Sequence, residues 1–313
     1  LGQSQASAEA SALQELPWEL SGDIAGTIRN LALANLRTNA GPQTRGLALA
    51  GSARFETQPQ RRIEAILATR QIDFDRALGG GGDEARGETS PGAALEVLGE
   101  VAHLLAASNT TAEISVETDA AIIAGDIVEN LVLDIISRDR VIEVRRGEAY
   151  LPGKTDFVFI GKVDPNDASI TGNVRLQSRH TSAFAKWLGL DPEKFGPLFG
   201  PGERVALSLA TALDINPRAL KLDEFRALVN DTEILGSLSF PMAEAVDEAS
   251  RTLSLNLSVN ELNLDRYVSF QGVESGARDI ARLLSQAAPG RETRIKLKAG
   301  KFILSGLTAS GLN

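Results

Sequence analysis

Two short acidic motifs contain the carboxylates whose spacing could support acid-base chemistry. Asp73 and Asp75 lie two residues apart, and Asn263 and Asp265 have the same spacing later in the chain. A general acid and base pair needs two carboxyl groups in contrasting environments. The second motif replaces one carboxylate with an amide, and both motifs end a strand-like segment. The pattern therefore favours turn capping, and the sequence predicts no catalytic residue and no enzyme.

The other residue types suited to nucleophilic, metal or phosphate chemistry are few. The chain has no cysteine and only two histidines, His103 and His180, which cannot form a cysteine-ligated or all-histidine metal site. Neither histidine has a serine or carboxylate motif nearby, so both are expected to be structural or surface residues. Gly79–Gly82 lacks the Gly-Lys-Ser/Thr that follows in a phosphate-binding loop, so it predicts a connector. No metal and no cofactor are expected.

The composition is that of a folded, acidic protein. Of 313 residues, 43% are hydrophobic and 5% aromatic, which is too apolar for a disordered chain. The formal net charge of −9 and the absence of a basic run argue against a nucleic-acid-binding protein and against a protein that binds a membrane surface through a polybasic segment. No stretch approaches the roughly 20 apolar residues of a transmembrane helix, and no signal peptide is visible. Because the chain begins at Leu1, we expect it to be part of a longer protein.

Most of the chain alternates apolar and polar residues with the period of a β-strand. Residues 253–260 place leucine and valine on one face and serine and asparagine on the other. The same pattern recurs at 157–163, 170–176, 205–210, 234–240 and 295–297. Such alternation is typical of an antiparallel sheet with one dry and one solvated face. A doubly wound nucleotide-binding fold is therefore disfavoured.

Helices and long loops are predicted between the strands. Helical spacing occurs at 93–106, at 277–288 and over two turns at 182–188, with a weak fourth helix at 7–15. Segments rich in glycine, proline or charge predict loops at 78–90 and 189–202.

A long-period internal repeat organises these elements. Residues 62–78 match 252–268 at an offset of 190, and both copies change apolar phase at the same place, which predicts a bulge or bend there. Further matches are 31–37 with 220–226 at 189, 51–55 with 236–240 at 185, and 121–125 with 302–306 at 181. The repeat predicts four segments: a polar segment 1–15, a first β-repeat 16–110, a middle half-unit 111–202 and a second, truncated β-repeat 203–313.

The apolar face of such an array must be covered by a second sheet, by helices, or by a curl of the sheet onto itself. The predicted helices are too short to cover it. The shortage of aromatic residues favours a curled sheet with an aliphatic groove over a filled sandwich. An acyl chain suits such a wall because each buried CH₂ contributes about 0.8 kcal/mol without directional contacts.

Three motifs, repeated in the same order, resemble a known family. They are Leu-x-Leu-x-Asn/Glu-Leu/Phe at 31–36 and 220–225, Gly-Ser-x-x-Phe at 51–55 and 236–240, and Ile/Leu-x-Phe/Leu-Asp-Arg at 72–76 and 262–266. Over residues 16–313 this order is similar to the AsmA family of Gram-negative bacteria, including its TamB-like relatives. The resemblance implies an elongated, curled antiparallel sheet, the β-taco or repeating β-groove. It further implies a periplasmic protein anchored in the inner membrane by an N-terminal helix that this chain lacks.

The functional hypothesis is a non-enzymatic lipid-transfer protein of outer-membrane biogenesis, whose partners are phospholipid and envelope proteins at both membranes. The predicted groove is lined by Ile63, Leu67, Leu207, Leu209, Leu238, Phe240, Leu253, Leu255, Leu257 and Val259. The alternative is a structural or adhesive β-repeat that binds protein partners in the cell envelope. An open aliphatic groove would favour lipid transfer, and a filled two-sheet core would favour the alternative.

Overall fold

The described part of the chain consists of fifteen β-strands and one short helix. The computed structural model describes residues 18–40, 47–75, 110–190, 205–242, 252–263, 293–304 and 307–312, with four separate positions at Pro91, Gly92, Gly99 and His103. The strands are β1 (Trp18–Thr27), β2 (Asn30–Ala40), β3 (Leu47–Glu56), β4 (Arg62–Asp73), β5 (Thr111–Ile123), β6 (Asp126–Arg138), β7 (Val141–Leu151), β8 (Thr155–Asp164), β9 (Ser169–Ser178), β10 (Leu207–Asn216), β11 (Ala219–Val229), β12 (Thr232–Pro241), β13 (Leu253–Asn263), β14 (Thr293–Leu304) and β15 (Leu307–Leu312), and the helix is α1 (Thr181–Trp187).

The strands form one sheet in which spatial order follows chain order from β1 to β15. The sheet is mostly antiparallel and is not closed, which confirms the prediction of a mainly β fold built from antiparallel sheet. Five of the six segments predicted from alternation lie inside observed strands, and 205–210 overlaps the start of β10.

Two neighbouring pairs, β4 with β5 and β13 with β14, are parallel, which alternation alone did not predict. Parallel neighbours require a crossover of a dozen or more residues. The connections 74–110 and 264–292 are long enough for it, and they contain the helices predicted at 93–106 and 277–288. Of those two helices the structure describes only Gly99 and His103, and both are helical.

The predicted short helix at 182–188 is confirmed as α1, shifted by one residue at each end. Its first residue is tied to the segment just before β10, because the Thr181 hydroxyl donates to the Val205 carbonyl at 2.7 Å. The segment 7–15, the loop 78–90 and all but residues 189 and 190 of the loop 189–202 lie outside the described residues.

Strand positions and pairings repeat along the chain. The bounds of β1 and β2 recur in β10 and β11 at an offset of 189, and those of β3 recur in β12 at 185. In each copy three antiparallel pairings are followed by one parallel pairing, β4 to β5 or β13 to β14. The sequence offsets therefore correspond to equivalent strands. The predicted four-segment division of the chain stays a prediction.

The chain divides into two compact units. Unit 1 contains Leu1–Pro152 and Lys162–Asn166, and unit 2 contains Gly153–Gly161 and Asp167–Asn313. In unit 1 the most buried apolar residues are small ones on β5 and β6, namely Ala112, Ala121 and Val128. In unit 2 they include Leu253 and Val259 on β13 and Ala299 on β14.

The predicted irregularity in β4 and β13 is present as an interruption of the parallel pairing at equivalent places. In β4 the residues before and after Arg70 pair with β5, but Arg70 itself does not. In β13 the residues before and after Asn260 pair with β14, but Asn260 itself does not. The register itself does not shift, so β4 and β13 each change phase together with the parallel neighbour. In β13 the Asn260 amide oxygen accepts from the backbone N–H groups of Glu233 (3.0 Å) and Glu261 (2.7 Å). The Asn260 side chain therefore bonds to β12 and to the next residue of β13 at the step where the pairing with β14 is missing.

Candidate functional site

The candidate site is the aliphatic face of unit 2, on β9 to β14. Strand register places the apolar residues of neighbouring strands opposite one another: Leu222 pairs with Leu238, Leu238 with Leu255, and Leu255 with Ile295. Parallel rows of the same kind run on either side. Eight of the ten predicted groove residues, Leu207, Leu209, Leu238, Phe240, Leu253, Leu255, Leu257 and Val259, lie on this one face.

The opposite face of the same strands is polar. Ser254, Asn256 and Ser258 alternate with the leucines of β13, and Asn256 donates to the Ser237 hydroxyl of β12 at 3.2 Å. The two faces differ in chemistry because side chains alternate along every strand. A one-residue change of register would exchange them.

The aliphatic face is only partly shielded from solvent. Leu253 and Val259 are buried, whereas Leu209, Leu238 and Leu255 are half-buried. Toward β14 the exposure increases, to 39% for Ile295 and 40% for Leu297. All described strands of unit 2 belong to one sheet, so among them no second sheet covers this face.

Unit 1 carries the other two predicted groove residues on a face of smaller side chains. Ile63 pairs with Phe55 and with Ala112, and Leu67 pairs with Gly51. Both predicted residues are half-buried. This face also contains Ala53, Ala65 and Thr118, so it is less uniformly aliphatic than that of unit 2.

A bulge at equivalent positions keeps the apolar residues of β2 and β11 on one face. Asn35 in β2 and Glu224 in β11 have positive φ values of 50° and 49°, and the register shifts at both. The offset between them is the 189 residues of the repeat. The extra residue moves Leu36 and Phe225 to the face that Leu33 and Leu222 already occupy.

The bulge also explains what sequence reasoning missed. The aliphatic face includes Leu220, Leu222, Phe225 and Ala227 of β11, which were not predicted as groove residues. Their period-two pattern is interrupted at Glu224, so simple alternation does not find it. A phase change repeated at an offset of 189 was the available signal. Ile295 and Leu297 belong to a predicted strand but were likewise not included in the predicted lining.

The polar face of unit 1 carries ion pairs both within strands and between them. Arg62 of β4 lies 2.9 Å from Glu64 of the same strand and 2.9 Å from Glu113 of β5. Farther along, the Arg146 guanidinium donates to Glu148 at 3.0 Å. That hydrogen bond and the Glu148 charge raise the pKa of Arg146, and Asp134 and Glu117 add to the effect. Exposed pairs of this kind contribute little to stability, and the face is a solvated one.

In unit 1, Asp75 of the Asp73 and Asp75 motif caps the turn between β5 and β6. The Asp75 carboxylate accepts from the backbone N–H groups of Ala124 (2.8 Å) and Gly125 (2.6 Å), which form the two-residue turn between β5 and β6. Both turn residues have positive φ. The turn-capping interpretation therefore has a direct structural basis for Asp75. Asn263 ends β13, and Asp265 lies outside the described residues.

The two histidines lie in a helical segment or directly before a helix. His103 is helical and exposed, and the His180 backbone N–H donates to Gly153 at 2.9 Å just before α1. Gly79–Gly82 lies outside the described residues.

Within the described ranges no three His, Cys, Asp or Glu side chains are grouped to hold a metal ion. No helix among those residues is both long and apolar enough to span a membrane.

Comparison with known proteins does not identify a family. No protein-family model matches the chain, and no curated protein matches it. One solved structure, titled "Crystal structure of Sex pheromone staph-cAM373 precursor", is 9% identical over 95% of this chain and 82% of that chain. Its TM-score is 0.12, so nothing about this chain is inferred from it.

Proposed function

We propose that the aliphatic face of unit 2 binds the acyl chains of a phospholipid and that the protein transfers lipid without enzymatic chemistry. The observation that carries the proposal is the exposure of this face: apolar side chains continue across six strands and stay partly accessible. A soluble protein rarely exposes a continuous apolar surface without a ligand or partner for it.

The chemistry of the face suits an acyl chain better than a polar ligand. The rows contain mostly Leu, Ile, Val and Ala, together with Phe225, which is in line with Gly236 and Leu257, and Phe240, which pairs with Leu220. Neighbouring strands lie about 4.8 Å apart, so a row across six strands extends roughly 24 Å. An acyl chain occupies about half of the 30 Å hydrocarbon core of a bilayer, so it fits within one row.

The biological setting of the proposal comes from the resemblance to the AsmA family. In this setting the protein is periplasmic and its full-length form is anchored to the inner membrane. It contributes to outer-membrane assembly together with envelope proteins at both membranes. The alternative function, a structural or adhesive β-repeat, predicts that the same face is occupied by protein.

Lipid recovery from paired variants tests the proposal. L255D/L257D places two charges on the aliphatic face, and S254D/S258D places the same two charges on the polar face of the same strand. We expect lipid to co-purify with the native chain and with S254D/S258D but not with L255D/L257D, as measured by mass spectrometry of extracted lipid.

Circular dichroism establishes that each variant is folded. Equal lipid recovery from a folded L255D/L257D variant would contradict the proposal. Recovery of a bound polypeptide in place of lipid would support the adhesive alternative.

A further inference from the structure

We propose that the polar face of β14 docks on the surface of a bilayer that contains anionic phospholipid. The side chains that meet the lipid phosphates are those of Lys296 and Lys298, with Arg294 in line with them. They lie on the face of unit 2 opposite the aliphatic one, because Ile295 and Leu297 occupy the alternate positions. The inference therefore adds a membrane contact and does not depend on acyl binding to the aliphatic face.

Alternation along β14 gathers its positive charges on one face. Residues 294–298 read Arg-Ile-Lys-Leu-Lys, so no two basic residues are adjacent in the sequence. Side chains on one face of a strand recur every second residue, about 6.7 Å apart. The strand therefore places three cations within roughly 14 Å along one line. The absence of consecutive basic residues conceals a cluster that forms only once the strand is folded.

The neighbouring positions of β13 carry uncharged hydrogen-bonding groups. They pair in register with the three cations: Ser254 with Arg294, Asn256 with Lys296 and Ser258 with Lys298. Farther across the same face, Ser239 and Ser237 of β12 pair with Ser254 and Asn256. Hydroxyl and amide groups can donate to phosphate oxygens and add no negative charge of their own. This combination of ammonium, hydroxyl and amide groups suits phosphate.

The two lysines are available to an external anion. Elsewhere in unit 2 solvated cations are matched by carboxylates: Arg226 lies 3.6 Å from Glu233, and Lys301, farther along β14, lies 2.9 Å from Glu261. In the described part of the chain neither Lys296 nor Lys298 forms an ion pair, and both are exposed. Their charge is therefore not neutralised by the described carboxylates.

A bilayer surface fits this strip better than nucleic acid does. Single-stranded nucleic acid is held by aromatic stacking as well as by charge, and residues 254–258 and 294–298 contain no aromatic residue. A lysine or arginine close to an anionic membrane contributes about 1 kcal/mol. The chain as a whole has a net charge of −9, but salt screens charges beyond about 8 Å. The local cations therefore determine which face approaches the membrane.

Vesicle co-sedimentation of the full chain tests the proposal. The vesicles contain equal parts of phosphatidylcholine and phosphatidylglycerol, or phosphatidylcholine alone. K296Q/K298Q removes two charges from the strip, and K162Q/K186Q removes two charges from exposed lysines elsewhere. We expect K296Q/K298Q to reduce partitioning onto the anionic vesicles about 10-fold or more, whereas K162Q/K186Q retains most of it. K296R/K298R, which keeps both charges, should bind as the native chain does.

High salt should release the native chain from the anionic vesicles, because the contact is electrostatic. Equal partitioning of the native chain onto anionic and neutral vesicles would overturn the proposal, as would equal losses in the two glutamine variants, each shown to be folded by circular dichroism. Displacement from the vesicles by poly-glutamate at equal charge would overturn it too, since the strip would then prefer an acidic polypeptide. Lipid recovery from L255D/L257D reports separately on the proposed function, so either proposal can fail without the other.

Discussion

Phe225 and Gly236 pair across β11 and β12, and the phenylalanine ring covers the position that a side chain on Gly236 would need. The ring carbon Cζ lies 3.1 Å from the site of a Cβ on Gly236, and the Asn256 carbonyl oxygen of β13 lies 2.1 Å from it. In the first copy Leu36 pairs with Gly51, and there the Ile66 carbonyl oxygen is 1.9 Å from the corresponding Cβ site. The bulge, the glycine and the close strand approach thus occur together in both copies.

Gly236→Ala should destabilise the protein by about 2–3 kcal/mol, because the added methyl group meets a backbone carbonyl that cannot move without breaking the β12–β13 pairing. Urea unfolding followed by circular dichroism measures the change. Gly99→Ala is the matched control, since a Cβ there meets nothing within 4 Å and the position is helical. Its expected effect is zero to about 1 kcal/mol of stabilisation. Equal effects of the two substitutions would refute this account of Gly236.

Glu224→Gly should stabilise the protein by about 1 kcal/mol, because Glu224 has a φ of 49° that glycine adopts without steric cost. Asn35→Gly at the equivalent bulge should bring no such gain, because asparagine already tolerates this conformation and glycine loses the side-chain hydrogen bond to Asp23. Lys221→Gly, at a regular position of β11, should instead destabilise by about 0.5–1 kcal/mol. Thermal unfolding of the three variants gives the order of their stabilities. A loss of stability in Glu224→Gly would contradict the bulge assignment.

Asp75→Ala should destabilise unit 1 by about 1–3 kcal/mol, because two backbone N–H groups of the β5–β6 turn lose a charged acceptor. Hydrogen exchange at the amides of Ala124 and Gly125 should become faster in the variant. Asp126→Ala removes an exposed carboxylate at the start of β6, directly after the same turn, and serves as the control. Unchanged exchange at both amides in Asp75→Ala would be evidence against the capping role.

Val259→Ser should cost about 2–3 kcal/mol and Leu297→Ser less than about 1 kcal/mol, although both residues lie on the aliphatic face. Val259 is 5% exposed and Leu297 is 40% exposed. The second substitution should also reduce the fluorescence of a hydrophobic dye bound to the folded chain. Similar stability losses for the two variants would indicate that the face is a closed core. A closed core would favour the alternative function, a structural or adhesive β-repeat.

The alternation in residues 253–260 was sufficient to predict β13 and its two faces, because side-chain direction in a strand depends only on position along it. The parallel partners β5 and β14 could not be predicted that way, since alternation does not record strand direction. The aliphatic residues of β11 were missed because one left-handed residue, Glu224, shifts the phase.

The agreement between chain order and sheet order has a consequence for folding. Where strands are joined by short turns, pairing closes a small loop and is fast, so successive hairpins can form as the chain leaves the ribosome. The connections at 74–110, 179–206 and 264–292 are different, because the strands on either side must wait for a long intervening segment. Addition of β5 to β4, of β10 to β9 and of β14 to β13 should therefore be the slow steps of assembly. The exposed edges of β4, β9 and β13 are then the places where a nascent chain is most open to pairing with the wrong strand.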